Sequence, residues 1–258
     1  MAFVDRSVLT ARQRLADEIG RCALYMRRIG GIEIRPADLG SAIRPGDGTT
    51  ATEIALDVGP IFINVTERGA QGVKSIFIHL LGSFTFDRTA WEANRVLDTL
   101  GLQTEAAYFR RSMGQLRLAY GAHYDHIPAS VTGPKATGHP VFHVQARGEL
   151  DAYGAAIAKE YRLQEQVGGG LEGMLRNVRS ASAQLDVFSV LLQIAADHLL
   201  PQHPTKEQKS AFNALRSMSA LCGPLCTGSG AASEQAPPST KPVSPIRCFR
   251  ARHWYREL

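Results

Sequence analysis

Residues 53 to 87, EIALDVGPIFINVTERGAQGVKSIFIHLLGSFTFD, alternate between apolar and polar side chains. A period of two is typical of strands that are buried on one face. Gly59 and Pro60 predict a turn between two short strands. The run from 72 to 87 predicts one long strand with a bulge or bend at Gly82. Short strands joined by short connections favour an antiparallel sheet.

Helical periodicity lies on both sides of this region. Residues 7 to 29 place apolar side chains at intervals of three and four, with Ser7 as the N-cap. A second helix is expected at about 89 to 100, ending at Gly101. After residue 150 three segments have helical patterns. The sequence therefore predicts an α+β fold: an N-terminal helix, an antiparallel sheet of about five or six strands, and C-terminal helices packed on one face.

One of the C-terminal segments, LDVFSVLLQIAADHLL, is apolar nearly all round, as a buried helix would be. With 16 residues and two aspartates it is too short and too charged to span a bilayer, so no membrane association is expected. Its polar residues Asp186, Ser189, Gln193 and Asp197 fall on one line at helical spacing. This stripe should face solvent or a polar cleft, and a solvent-facing ridge is the simpler interpretation.

The chain is expected to divide into three parts. Residues 1–222 form a single α+β domain, and residues 223–245 have the small, polar, proline-rich composition of a flexible linker. Residues 246–258, IRCFRARHWYREL, mix arginine with aromatic residues and predict a docking tail. Through Phe249, Trp254 and Tyr255 such a tail could anchor an accessory or scaffold subunit to a partner protein.

Composition places the chain among ordinary globular proteins, with 44% hydrophobic and 21% charged residues. The first twenty residues lack the apolar core of a secretory signal and contain acids that organellar transit peptides avoid. We therefore expect a cytoplasmic protein, whose four cysteines are free thiols or metal ligands rather than disulfides. A zinc site could combine Cys222, Cys226, Cys248 and His253. Free thiols are the alternative, because CGPLC is not a usual zinc knuckle.

The net charge is +5, and 23 of the 29 basic residues are arginine. The planar guanidinium suits phosphate and carboxylate groups, which favours nucleic acid or another polyanion as partner. The arginines are scattered along the chain, so codon usage is the simpler explanation of their number.

Histidine is concentrated in HYDHIPASVTGPKATGHPVFHVQ, residues 123 to 145, which holds four of the eight histidines. The flanking segments GQLRLAYGAHYD and HPVFHVQARG alternate like half-buried strands. If these strands pair, one polar sheet face would carry the candidate catalytic set. Its members are Arg117, His123, His139, His143 and Gln145.

Two histidines beside an arginine could cleave a phosphodiester without metal, one taking a proton and the other giving one. His123, Asp125 and His143 could instead hold a divalent metal. The simplest interpretation of these residues is a solvated sheet face, or histidines that are hydrogen-bonded within a loop. A non-catalytic ligand site is a further alternative. GGGLEG (168–173) has the form of a dinucleotide motif, but helix-like sequence precedes it and the expected acid is missing. We expect these glycines to end one helix and begin another.

The favoured hypothesis is therefore a cytoplasmic, nucleic-acid-associated phosphodiesterase or nuclease. The alternatives are an accessory subunit anchored by its C-terminal tail, and a small-molecule or metal-dependent enzyme that uses the same histidines.

Overall fold

The computed structural model of the protein describes residues 5–69, 72–94, 99–112, 115–126, 142–146, 151–163, 166–171 and 186–218. The helices are α1 (Arg6–Ile29), α2 (Arg88–Asn94), α3 (Asp151–Glu160), α4 (Val187–Ile194) and α5 (Lys206–Met218). The strands are β1 (Ile32–Arg35), β2 (Ile43–Pro45), β3 (Glu53–Gly69), β4 (Gly72–Asp87), β5 (Thr99–Ser112), β6 (Gln115–His126), β7 (Phe142–Ala146) and β8 (Gln166–Leu171).

The predicted linker (223–245) and docking tail (246–258) lie outside the described residues, as do the four proposed zinc ligands Cys222, Cys226, Cys248 and His253.

A single sheet organises these elements, in the order β1-β3-β4-β5-β6-β7 with antiparallel neighbours throughout. β2 pairs with β3 beyond β1, and β8 runs parallel to β6. An N-terminal helix, a six-stranded antiparallel path and C-terminal helices confirm the predicted α+β class. The parallel strand β8 was not predicted. It contains Gly168–Gly170, so the expectation that these glycines separate two helices is wrong.

The two faces of the sheet have different cores. On the first, which we call the α1 face, the apolar stripe of α1 packs with α4 and α5 on the strands, and Leu15, Cys22 and Met26 are completely buried. On the second, the α3 face, Ile157 of α3 packs with Phe62, Phe77, Phe109, Leu116 and Leu118. Across the described residues, no helix combines the length and hydrophobicity needed to cross a membrane.

α1 begins at Asp5, whose side chain accepts hydrogen bonds from the backbone N–H groups of Ser7 and Val8. Asp5 is therefore the N-cap, and the predicted Ser7 cap is wrong. Arg12 ties the helix to the sheet edge: its Nε donates to the Ile43 carbonyl at 2.6 Å and its Nη2 to the Gly40 carbonyl at 2.8 Å.

Gly59 and Pro60 do not reverse the chain. β3 continues through them, and the pairing with β4 resumes at Ile61 after a bulge that sets these two residues against Leu81. Gly59 has φ +111°, and a Cβ there would lie 2.8 Å from the Leu80 carbonyl oxygen. Glycine is required at this position by the bulge. The predicted turn is wrong because pairing with β4 continues on both sides.

The second predicted helix is shorter than expected. α2 ends at Asn94, and Thr99 already pairs with Phe86 as the first residue of β5. Residues 99–101 therefore belong to the sheet rather than to a helix ending at Gly101. Long-range pairing with β4 overrides the local helical preference.

The polar stripe of α4 is largely buried. Asp186 caps the helix and accepts hydrogen bonds from the backbone N and the Oγ of Ser189. Gln193 is also buried, and Asp197 lies half-buried in the π-helical turn Ala195–Leu199. The solvent-facing ridge was therefore a wrong prediction: the first two polar residues satisfy the helix N-terminus, which allows α4 to enter the core.

Gly82 lets α4 approach the sheet. It pairs regularly with Val58 and Thr104, so the predicted bulge lies at Gly59 instead. A Cβ at Gly82 would lie 2.4 Å from Cγ2 of Val187. Absence of a side chain at this position therefore sets the distance between α4 and β4.

Gly82→Ala should lower the free energy of unfolding by about 1–3 kcal/mol, the usual cost of overpacking a core. Adding Val187→Ala removes the colliding methyl groups, so the double variant should lose less than the sum of the two single variants. Urea unfolding of the four proteins measures this coupling, and strictly additive losses would contradict the close contact.

Candidate active site

The pairing of β5 with β6 brings His123 against Glu105 on the α3 face. Nδ1 of His123 lies 3.0 Å from Oε1 of Glu105, and Nε2 lies 3.2 Å from Nε2 of Gln103. Because an amide nitrogen can only donate, Nε2 accepts from Gln103 and the hydrogen on Nδ1 is donated to Glu105. Glu105 therefore fixes the tautomer and orientation of His123, and Nε2 is the basic atom.

Glu105 is also the attachment point of α3. The hydroxyl of Tyr153 donates to Oε2 of Glu105 in a short hydrogen bond. The side chains of Glu105 and His123 are only 17% and 6% exposed. A carboxylate in such surroundings needs donors, and it receives one from the sheet and one from the helix.

His79 extends this cluster without taking part in its hydrogen bonds. Its ring stacks on Tyr153 with centroids 4.3 Å apart and meets Phe62 edge-on at 5.2 Å. Burial lowers the pKa of His79 to about 4, against the opposing effect of the Glu105 charge. His79 is therefore neutral at neutral pH and acts as a packing group.

A cleft of about 300 Å³ opens beside Glu105, where the α3 face is not covered by α3. Nη2 of Arg44 donates to the Gly59 carbonyl at 3.1 Å at this cleft. The strand register places one polar residue after another across the sheet. From β2 to β7 this row is Arg44, Asp57, Ser83, Gln103, Asp125 and His143.

The two histidine-bearing strands are neighbours, as the sequence hypothesis requires. β6 pairs with β7 in a register that sets His123 opposite Gln145 and Asp125 opposite His143. These are backbone positions. His139 lies outside the described residues.

Arg117 does not join this set. The register between β5 and β6 shifts so that Tyr120 pairs with Tyr108 and Leu118 with Phe109, leaving Ala119 as an extra residue. Leu116 and Leu118 pack on the α3 face, so Arg117 between them points to the α1 face. There it donates to Oε1 of Gln115 from Nε and Nη2, at 3.2 and 3.0 Å. The expectation that Arg117 shares a face with His123 is wrong, because the bulge at Ala119 reverses the alternation.

The sequence hypothesis missed Glu105, Gln103, Tyr153 and Arg44. The segment QTEAAYF alternates, so Gln103 and Glu105 could have been assigned to one face of a strand. The register of that strand against β6 could not have been known, and Tyr153 reaches the site from α3, 30 residues beyond His123 in the chain.

Within the described ranges, no group of three or more His, Cys, Asp and Glu side chains is arranged to hold a metal ion. The metal hypothesis for His123, Asp125 and His143 stays a prediction, supported only by the strand register.

Compared with known proteins, the chain matches no family model, no curated sequence and no solved structure.

The lowered pKa of His79 predicts that the free energy of unfolding depends on pH. Its pKa is about 4 when folded, against 6.5 for a free histidine, so between these values the unfolded chain binds more protons than the folded one. The free energy of unfolding should therefore fall as pH drops from 6.5 to 4, by up to about 3 kcal/mol from this residue. His79→Phe keeps the stacking and removes the titration. Urea unfolding at pH 7 and near pH 4 should show a smaller loss for the variant, and equal losses would contradict the assignment.

Proposed function

We propose that this protein is a phosphodiester hydrolase acting on nucleic acid, with His123 as its acid–base group. The observation that carries the proposal is the buried Glu105–His123 pair, because Glu105 lines a cleft that also contains Arg44. His123 lies behind the cleft wall, where its Nε2 contacts Gln103, another lining residue. A general base needs an oriented imidazole whose positive charge, once protonated, is balanced by a carboxylate. Glu105 supplies both the orientation and the balancing charge.

The chemistry would proceed through Nε2 of His123. A water molecule replaces the Gln103 amide at Nε2 and gives its proton to the imidazole as its oxygen attacks phosphorus. The P–O bond to the leaving alcohol breaks, and the leaving oxygen takes up a proton. His143, whose strand position is one row from His123, is the candidate donor of that proton. The products are a phosphate monoester and an alcohol.

Arg44 takes the role that the sequence hypothesis gave to Arg117. Its guanidinium uses one donor on the Gly59 carbonyl, and the remaining N–H groups are available to the equatorial oxygens of a phosphate. A cation at this point would stabilise the charge that develops on phosphorus oxygens in the transition state. Two carboxylates, Asp57 and Glu105, line the same cleft, and Arg44 is the one Lys or Arg among its described lining residues. Binding would therefore depend on Arg44 itself.

A cytoplasmic location is part of the same proposal. The accessory-subunit alternative depends on residues 246–258, outside the described ranges, and stays a prediction.

Cleavage of labelled single-stranded RNA, single-stranded DNA and duplex DNA tests the hydrolase. His123→Gln should lower kcat by about 10²–10⁴-fold, the usual contribution of general acid–base catalysis. Glu105→Gln should also lower kcat, because the protonated imidazole loses its balancing charge. Its effect on KM should be smaller than its effect on kcat. Arg44→Gln should mainly raise KM.

Arg117→Gln is the matched control, because it removes a strand arginine from the opposite face of the sheet. It should leave kcat and KM within about twofold, well below the tenfold that 1.4 kcal/mol represents. Activity that survives EDTA supports the metal-free mechanism, and activity that EDTA abolishes and Mn²⁺ or Zn²⁺ restores supports the metal alternative. No cleavage of any substrate would contradict the proposed function.

A further inference from the structure

The positive charge of the protein is concentrated on one helix. α1 contains six arginines, no lysine and two acids, Asp17 and Glu18, which gives it a net charge of +4. The whole chain has a net charge of +5. The arginines that appear scattered along the sequence therefore produce a local field on the surface of α1.

Three of these arginines form a row. Arg14, Arg21 and Arg28 are separated by seven residues each, which is close to two helical turns, or about 10.5 Å. All three are exposed, on the side of α1 that faces away from the sheet. The row thus presents guanidinium groups at regular intervals over about 21 Å of rigid helix.

A buried carboxylate organises the first two members of the row. The Glu18 side chain is 1% exposed, and its Oε1 contacts Nη2 of Arg14, at 2.8 Å, and Nη2 of Arg21. The two arginine side chains are 49% and 50% exposed. Glu18 therefore holds two half-exposed guanidinium groups close together at the surface. A paired guanidinium of this kind suits a phosphate group.

The surroundings of the row leave an excess of basic groups. An open groove of about 1000 Å³ runs along α1 beside residues 37–40, and its lining includes Arg12, Arg14, Arg21 and Arg27. Asp17 and Asp38 also line this groove, so four guanidinium groups face two carboxylates.

We propose that the outer face of α1 binds the phosphate backbone of nucleic acids without recognising bases. A regular row of arginines complements a linear ligand of regularly spaced phosphates. Large apolar side chains are sparse there: Leu9 and Leu24 are the exposed ones in the described ranges. An amphipathic membrane helix or a protein interface would need a larger apolar surface.

This surface lies on the opposite side of the sheet from His123, so the inference does not rest on the proposed hydrolase. Binding and cleavage can fail separately.

The experiment measures binding of short labelled single-stranded DNA, single-stranded RNA and duplex DNA to the full chain by fluorescence anisotropy over a range of salt. Arg21→Gln/Arg28→Gln removes two members of the row and leaves Glu18 paired with Arg14. Lys206→Gln/Lys209→Gln removes the same charge from exposed positions on α5 and is the matched control. Arg28→Gln alone disturbs no ion pair within the described residues, so its effect on binding does not depend on a disrupted fold. Thermal unfolding of each variant checks that it is folded.

Each lost phosphate contact should weaken single-strand binding about fivefold at about 0.1 M salt and reduce the slope of log K against log salt by about 0.7. Arg28→Gln should therefore cost about fivefold and Arg21→Gln/Arg28→Gln about 25-fold, while the α5 control stays within about threefold. Equal weakening by the two double variants would show only a general charge effect and overturn the proposal. Absence of binding by the wild-type chain at low salt would overturn it as well. Binding that persists in His123→Gln supports it, whatever the cleavage assay shows.

Discussion

Glu105 accepts hydrogen bonds from two elements that reach it from different directions, His123 within the sheet and Tyr153 from α3. A hydrogen bond to a charged group is worth about 1.5–3 kcal/mol, and a buried carboxylate left without donors costs several. The same carboxylate therefore docks α3 and sets the tautomer of the candidate catalytic histidine. The stacking of His79 on Tyr153 depends on that docking, as does the boundary between the apolar part of the α3 face and the open cleft.

Period-two alternation was enough to predict the strands but not the side on which their residues lie. Whether the two histidine-bearing strands pair was left open by their patterns, and the register of β6 against β7 shows that they do. Which residues share a face depends on an unbroken period, and Ala119 breaks it between Arg117 and His123. Nothing in LRLAYGAH marks the extra residue, because leucine and alanine fit either face of a strand buried on both sides. The position of a bulge depends on the pairing with the neighbouring strand, so the sequence of one strand rarely reveals it.

Gly59 and Pro60 illustrate the opposite error, in which a local sequence signal predicted a turn that the fold does not contain. Glycine followed by proline is strong turn chemistry, yet here the residues form a bulge because β4 continues to pair on both sides. The helices were easier to predict for a physical reason. The stripe of α1 is fixed by 3.6-residue periodicity against a single core, whereas the polar residues of α4 could be placed only once Asp186 and Ser189 were seen to bond to each other.

The arginine row of α1 and the Glu105–His123 pair lie on opposite sides of one sheet, and edge strand β2 lies between them. Arg12 of α1 donates to the Ile43 carbonyl, and the next residue, Arg44, extends over β3 to Gly59 beside the cleft. β2 is three residues long and forms an edge of the sheet. Arg12 and Arg44 therefore lie at the same sheet edge, between α1 and the cleft. On this geometry the two proposals are complementary: backbone binding on α1 would raise the local concentration of phosphodiesters at the cleft, while His123 and Glu105 would determine whether any of them is cleaved.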